Sequence, residues 1–375
     1  MVKKMNLNTF LKKGFIYFIS KVLIMIAGFI IIPLLTYNFT TDQMGEISFI
    51  QSLLTIFILI SSVGMPQAFI RFYPEKTDSS ISNYLYSFLL FIIVFSSLFF
   101  IFFNLVIINL NLNIKTSLFV ASIILILMNI KKIFFSYLRV HSKSKIHSSV
   151  LIVEKYILIL GLFFTYKFIS PSVVSYFYIK LISAFLIIIY CSFFVDFNLW
   201  SGTFSKDIIK KALLYGSPLI ILSIGSSVLS LSDRYIIKFF LGSSSLGIYT
   251  ISYKICTSIQ SLIVFPFNTL IYPEYIKKWK NSGKLKTELF INKTIDIYLL
   301  LAIPMIFGLY ATRKEIFILF TQQSYYEGSR YLLPIIIGLL IYGLYYLTVA
   351  GLFIKKKTKM LSFYITISAI SNICL

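Results

Sequence analysis

The chain has 375 residues, of which 58% are hydrophobic and 13% are charged, and its formal net charge is +22. Soluble domains are about 45–50% apolar, and the basic residues here are scattered between apolar stretches, so a soluble domain and a basic nucleic-acid-binding domain are both excluded. The apolar stretches are continuous rather than alternating, which excludes a β-barrel and predicts an all-α polytopic membrane protein.

Eleven membrane spans are predicted from apolar stretches, because a helix needs about 20 residues to cross a bilayer. In chain order they are 14–37, 46–69, 84–108, 114–138, 146–168, 172–195, 212–240, 246–272, 290–311, 331–354 and 360–375. The first follows a basic N-terminus but is too long for a signal peptide, so we expect it to remain as an anchor. The fourth is interrupted by Lys131 and Lys132, which are counted with the connection that follows it.

Lysine and arginine residues are distributed unevenly over the connections. The N-terminus and every second connection hold 23 of the 35 basic residues, and five lie within spans. The remaining connections hold only Lys115, Lys167, Arg234, Lys238, Arg313, Lys314 and Arg330. Because cytoplasmic connections are the ones rich in Lys and Arg, the N-terminus is predicted to be cytoplasmic.

Cysteine, histidine and carboxylate residues do not form any recognisable reactive pattern. The three cysteines are far apart in apolar stretches, and His141 and His147 have no carboxylate at ligand spacing. We therefore expect no metal, no cofactor and no catalytic residues, and interpret the chain as a non-enzyme.

A weak internal repeat relates two segments at an offset of 202 residues. The segments are Thr36–Gln51 (TYNFTTDQMGEISFIQ) and Lys238–Tyr253 (KFFLGSSSLGIYTISY), and they align Gly45 with Gly247. An offset of six spans gives both copies the same orientation, which predicts two parallel lobes with a substrate path between them. The expected lobes are 1–211, with six spans, and 212–375, with about five and therefore incomplete.

Four stretches carry a resemblance to a known family. They are Pro33–Glu75, Tyr215–Ile255, Tyr272–Pro273 and Ile316–Ile335, and in this order they resemble Wzx-type polysaccharide and O-antigen flippases of the multidrug/oligosaccharidyl-lipid/polysaccharide (MOP) exporter superfamily. The resemblance implies flipping of an undecaprenyl-diphosphate-linked oligosaccharide repeat unit across a bacterial inner membrane. It also implies alternating access through a cationic cavity and contact with membrane lipids and with polysaccharide polymerase machinery. No nucleic-acid partner is expected, because the basic residues are scattered and form no basic domain.

Charged residues in or next to the spans are the candidate substrate-binding cations. A charge at mid-membrane costs about 2.5–3.5 kcal/mol on insertion scales, so a charged residue there indicates a functional role. We expect Lys21, Lys254, Lys180 and Arg71 to bind the diphosphate of the cargo. The alternative for the lysines is a side chain that extends to the interface, and for Arg71 a marker of the cytoplasmic boundary.

Three further residues are candidates for gating or coupling. Asp233 and Arg234 match the Asp-Arg position of the family in the seventh span, and Glu154 lies in the fifth. The pair could instead be structural or an interfacial anchor, and Glu154 could be an interhelical partner without a transport role.

Two other functions remain open at this point. A small-molecule exporter of the same superfamily is one, although a cationic cavity would repel cationic drugs. A membrane-embedded polysaccharide polymerase or ligase is the other, and it predicts a long outer loop that the spacing of the spans does not leave room for.

Overall fold

The computed structural model describes residues 7–73, 78–108, 115–141, 143–195, 202–267 and 271–354, with positions 360, 364, 367, 368 and 371. All regular elements in these ranges are helical. The α-helices are α1 Leu7–Asn38, α2 Thr41–Ser62, α3 Met65–Phe72, α4 Asp78–Ile108, α5 Lys115–Val140, α6 Ser144–Phe168, α7 Val173–Ser192, α8 Lys206–Pro266, α9 Tyr272–Ala311, α10 Arg313–Phe320, α11 Leu332–Thr348 and α12 Ala350–Ile354. A 3-10 helix, Gln323–Tyr331, precedes α11.

The helices confirm the prediction of an all-α polytopic membrane protein. Eight of the described helical stretches are long and apolar enough to cross a membrane, and a shorter apolar helix covers Val22–Asn38. Hydrocarbon offers no hydrogen-bond partners to backbone amides and carbonyls. A helix pairs these groups within its own backbone, so it can cross a membrane. The first ten predicted spans are helical over most of their described residues, and the eleventh, 360–375, lies largely outside the described residues.

Glycines with positive φ angles interrupt the two longest helices. The 61-residue α8 contains Gly242 at φ 83°, and this break separates the predicted seventh and eighth spans. Gly283, at φ 75°, interrupts α9 in the same way. Residues with side chains rarely adopt this conformation, so both positions favour glycine.

The second span ends earlier than predicted. The helix α2 stops at Ser62, and Val63 and Gly64 both adopt positive φ angles before α3 begins at Met65. A Cβ atom on Gly64 would overlap the backbone of Gly216 in α8, so this turn also permits a close approach of two backbones. Arg71 therefore lies on the separate short helix α3 and not at the end of α2.

The described chain divides into two compact units. Unit 1 comprises residues 1–27 and 46–235, and unit 2 comprises residues 28–45 and 236–375. The helices α1, α2 and α8 contribute residues to both. The lobe boundary predicted at residue 211 remains a prediction.

The core of unit 1 is a cluster of apolar side chains from α3, α4, α5, α6, α7 and the start of α8, with several aromatic rings among them. Phe69 stacks on Tyr73 and packs edge-on against Phe88, and the Tyr84 hydroxyl donates to the carbonyl of Phe69 at 3.2 Å. At the edge of this cluster the Tyr73 hydroxyl is 2.7 Å from Nε2 of His141. These contacts hold α3 against α4 and α5.

Candidate functional site

A buried ion pair joins α5 and α6 inside unit 1. The ammonium of Lys131 lies 2.6 Å from Oε1 of Glu154. Lys131 is 6% exposed, so its charge is almost completely removed from solvent. Removing an ammonium from water is unfavourable unless an opposite charge compensates it, and Glu154 provides that charge.

Two further lysines surround this pair. Lys155 interacts electrostatically with Lys180, Glu154 and Lys131, and Lys180 also interacts with Glu154. The Lys180 ammonium lies 5.6 Å from the ring centroid of Tyr176, one turn earlier on α7. We call Lys131, Glu154, Lys155 and Lys180 the lysine cluster.

The lysine cluster has an excess of positive charge. Three lysines share one carboxylate, and Lys132, next to Lys131 on α5, adds a further basic residue, so lysines outnumber carboxylates in this region. Like charges at this proximity repel one another, and the repulsion is relieved when an anion binds. The arrangement is therefore suited to bind an anionic group and contains no nucleophile with an adjacent base.

Hydrogen bonds between helices hold the region around the lysine cluster in place. The Tyr176 hydroxyl is hydrogen-bonded to Gln51, which connects α7 with α2. The side-chain amide of Asn129 in α5 donates to Ser61 at 2.7 Å and to Ser96 at 2.9 Å, so it joins α2, α4 and α5. In an apolar environment such bonds are worth about 0.6–2 kcal/mol each.

The structure brings together two of the residues predicted from sequence and adds two that were not predicted as site residues. Glu154 and Lys180 belong to the lysine cluster, as do Lys131 and Lys155. Lys131 was predicted to lie in a connection, whereas it lies inside α5 and is buried. The sequence places both members of the pair next to or within apolar stretches, but it does not indicate that they contact each other.

Arg71, Asp233 and Arg234 have other surroundings in unit 1. Arg71 is exposed in the last turn of α3, and its guanidinium lies 5.8 Å from the ring centroid of Phe72. Asp233 and Arg234 are half-buried on α8, and Oδ1 of Asp233 accepts a hydrogen bond of 2.8 Å from the backbone amide of Arg234.

The last two predicted cations are Lys254 and Lys21. Lys254 is half-buried on the part of α8 that belongs to unit 2. Lys21 lies outside the described side chains. Their roles in binding remain predictions.

The two copies of the internal repeat contact each other within unit 2. A Cβ atom on Gly45 would overlap the carbonyl oxygen of Ser243, and a Cβ atom on Gly247 would overlap that of Thr41. The offset of 202 residues relates these two contacts, because it pairs Thr41 with Ser243 and Gly45 with Gly247. Ser244 also donates to the Thr41 hydroxyl at 2.8 Å. The repeat therefore forms a reciprocal contact that only glycine allows.

Metal ligation has no candidate site among the described residues, where no three His, Cys, Asp or Glu side chains converge.

Comparison with known sequences identifies one family. Residues 10–279 match the family described as "Polysaccharide biosynthesis protein". No curated protein sequence matches the chain.

Comparison with solved structures identifies the fold. The lipid II flippase MurJ, in an inward closed conformation, is similar with a TM-score of 0.75 at 18% identity, covering 97% of this chain and 80% of MurJ. A multidrug resistance MATE family transporter of the MOP superfamily, in an inward-facing conformation, gives a TM-score of 0.69 at 13% identity, with coverage of 94% and 83%. A MOP superfamily transporter from Pyrococcus furiosus gives 0.54 at 12% identity, with coverage of 95% and 94%. The fold is therefore that of the MOP transporters.

Proposed function

Because this chain belongs to the polysaccharide biosynthesis protein family, we propose that it flips an undecaprenyl-diphosphate-linked oligosaccharide from the cytoplasmic to the outer leaflet of a bacterial inner membrane. The observation that carries the proposal is the lysine cluster. Such a cargo has a polyprenyl tail that stays in hydrocarbon, and a diphosphate and sugars that cannot enter it. A protein that moves it must offer positive charge at membrane depth.

The lysine cluster supplies that charge in unit 1. Its excess of lysines over carboxylates suits the two ionised oxygens of a diphosphate that is esterified at both ends. Lys180 and Lys155 are the members without a close carboxylate partner among the described ion pairs, so they are the groups proposed to contact the cargo. Lys254, Lys21 and Arg71 are proposed as further cations along the path.

Glu154 is proposed to couple cargo binding to conformational change. While the cluster is empty, Glu154 neutralises Lys131 at 2.6 Å. A bound diphosphate would compete for the same ammonium groups and so weaken this link between α5 and α6. Asp233 and Arg234 remain proposed gating residues.

The proposed orientation has a cytoplasmic N-terminus, from the distribution of Lys and Arg over the connections. Membrane lipids and polysaccharide polymerase machinery are the proposed partners. A small-molecule exporter is the alternative suggested by the fold of the MATE transporters. The excess positive charge of the lysine cluster disfavours cationic substrates for such an exporter.

The test is deletion of the gene in its native host, followed by mass spectrometry of undecaprenyl-diphosphate-linked sugars. Flippase function predicts that a complete repeat unit accumulates and that surface polysaccharide is lost. Complementation with K155Q/K180Q should fail, while K277Q/K280Q, which removes two exposed lysines elsewhere, should restore export. Unchanged lipid-linked sugars and unchanged surface polysaccharide in the deletion strain would contradict the proposal.

A further inference from the structure

A cavity of about 460 Å³ lies in unit 2 between α10 and the 3-10 helix Gln323–Tyr331. This volume lies within the range of small-molecule sites, about 300–1,000 Å³. The charged residues that line it are Arg313, Lys314, Glu327 and Arg330, and its apolar wall includes Phe317 and Ile318. We call it the α10 pocket.

The walls of the α10 pocket are held by contacts within unit 2. The Tyr325 hydroxyl is buried and donates to the carbonyl of Phe39 at 2.8 Å, which anchors the 3-10 helix. The carbonyl of Gly328 accepts a 3.0 Å hydrogen bond from Ser252, and a Cβ atom on this glycine would collide with the Phe317 ring. The pocket is thus formed before any ligand arrives, which lowers the entropic cost of binding.

Arg313 is held in place beside the pocket. Its Nη1 donates to the carbonyl of Tyr310 at 2.6 Å, and its guanidinium lies 4.0 Å from the centroid of the Tyr310 ring. An arginine fixed in this way loses little side-chain freedom when it binds an anion. Its remaining N–H groups can serve as donors to a phosphate.

The charges of the α10 pocket are unusual for their place in the chain. Three basic residues and one carboxylate give it a net charge of +2. The predicted external connections hold only seven of the 35 basic residues, and three of those seven line this one pocket. The positive-inside rule favours Lys and Arg in cytoplasmic connections and does not explain basic residues in an external one. An anionic ligand would explain their concentration in this pocket.

Exposed apolar side chains adjoin the pocket. The helix α10 connects two stretches that are long and apolar enough to cross a membrane, Glu274–Ala311 and Gln323–Leu352. On α10 itself, Ile318 is 61% exposed and Leu319 is 75% exposed. A short helix that combines basic residues with exposed large apolar residues lies in the membrane interface. A ligand of the pocket can therefore have a charged head at Arg313 and a hydrocarbon tail along Ile318 and Leu319.

We propose that the α10 pocket binds the diphosphate of the lipid-linked cargo on the external side, as a receiving site after flipping. This inference rests on the proposed function for the identity of the lipid. The charges distinguish the cargo from phosphatidylglycerol, because a diphosphate esterified at both ends has two negative charges and a phosphatidylglycerol headgroup has one. Arg313 and Arg330 bind the two phosphates, and Lys314 adds a third positive charge at the rim.

The experiment is native mass spectrometry of the full chain in detergent with an undecaprenyl-diphosphate-linked monosaccharide, whose diphosphate is esterified at both ends, as the probe. We expect two bound equivalents in the wild type, one in the lysine cluster and one in the α10 pocket. The R313Q/R330Q variant should lose one of them, with at least a tenfold increase in its Kd, which is about 1.4 kcal/mol. The control variant K277Q/K280Q should keep both equivalents. If R313Q/R330Q fails to fold, R330Q alone, at an exposed position, replaces it.

Three outcomes would overturn the inference. Both equivalents could persist in R313Q/R330Q. Phosphatidylglycerol at the same concentration as the lipid-linked monosaccharide could displace the second equivalent. Inorganic pyrophosphate alone could occupy the pocket equally well. Failure of the proposed function has a separate signature. In that case the wild-type lysine cluster, which K155Q/K180Q alters, binds no lipid. The α10 pocket still binds one equivalent, which R313Q/R330Q abolishes.

Discussion

Replacing Glu154 by glutamine tests the lysine cluster directly, because it removes one charge and preserves the shape of the side chain. Lys131, 6% exposed, then loses the carboxylate 2.6 Å from its ammonium. At that distance, and with an effective dielectric constant of about 20, the Coulomb attraction is about 6 kcal/mol before desolvation is considered. Removal of one partner from a buried pair typically costs about 3–5 kcal/mol, and the nearby Lys155 and Lys180 add repulsion. We expect E154Q to lose about 3–5 kcal/mol of unfolding free energy.

The assay is denaturant-induced unfolding of the purified protein in detergent, arranged as a double-mutant cycle with K131M. The single variant K131M leaves Glu154, whose side chain is 28% exposed, with partial access to solvent and should be less destabilised than E154Q. The double variant K131M/E154Q contains no unpaired charge at this pair and should recover part of the loss, with a coupling of about 2 kcal/mol or more. The reasoning is refuted if E154Q is within about 0.5 kcal/mol of the wild type, or if the two single effects simply add.

Other substitutions test the glycine contact, the polar network and the cluster cation. G247A should destabilise the protein by about 1–3 kcal/mol in thermal unfolding and impair export, because its Cβ atom has no space. The control G308A should be neutral, because a Cβ atom there meets nothing within 4 Å. Equal melting temperatures of the two variants would contradict the contact. N129A removes two hydrogen bonds to serine hydroxyls and should cost about 1–3 kcal/mol in the same assay, and a neutral result would mean that this network does not hold the helices together. K180Q should reduce export of lipid-linked sugar severalfold without changing the amount of protein in the membrane, while K167Q, at an exposed lysine, should leave export intact; equal export by both would remove Lys180 from the path.

The sequence predicted the helices well because their signal is local. Continuous apolar stretches identify spans, and glycines such as Gly242 and Gly283 stand where the helices break. The end of the second span was predicted about seven residues too late, since the stretch after Ser62 remains apolar through Phe69. Hydropathy does not detect the positive φ angles of Val63 and Gly64 that end the helix.

The candidate site was only partly predictable. Glu154 and Lys180 were identified because a charge in an apolar stretch is conspicuous by itself. Lys131 was assigned to a connection because it lies near a group of basic residues at the end of its span. Its partner is 23 residues away on another helix, and no local pattern indicates which helices pack side by side.

The sequence alone determined that this chain crosses a membrane as helices. That conclusion needs only the length of its apolar stretches and the fact that hydrocarbon cannot satisfy backbone hydrogen bonds. The repeat that aligns Gly45 with Gly247 was also visible in the sequence. Only the tertiary structure decided that these glycines pack against each other's repeat, that Lys131 pairs with Glu154, and that Arg313 and Arg330 line one pocket. Such contacts join residues distant in sequence, and they depend on how helices pack, which hydrophobicity along the chain does not encode.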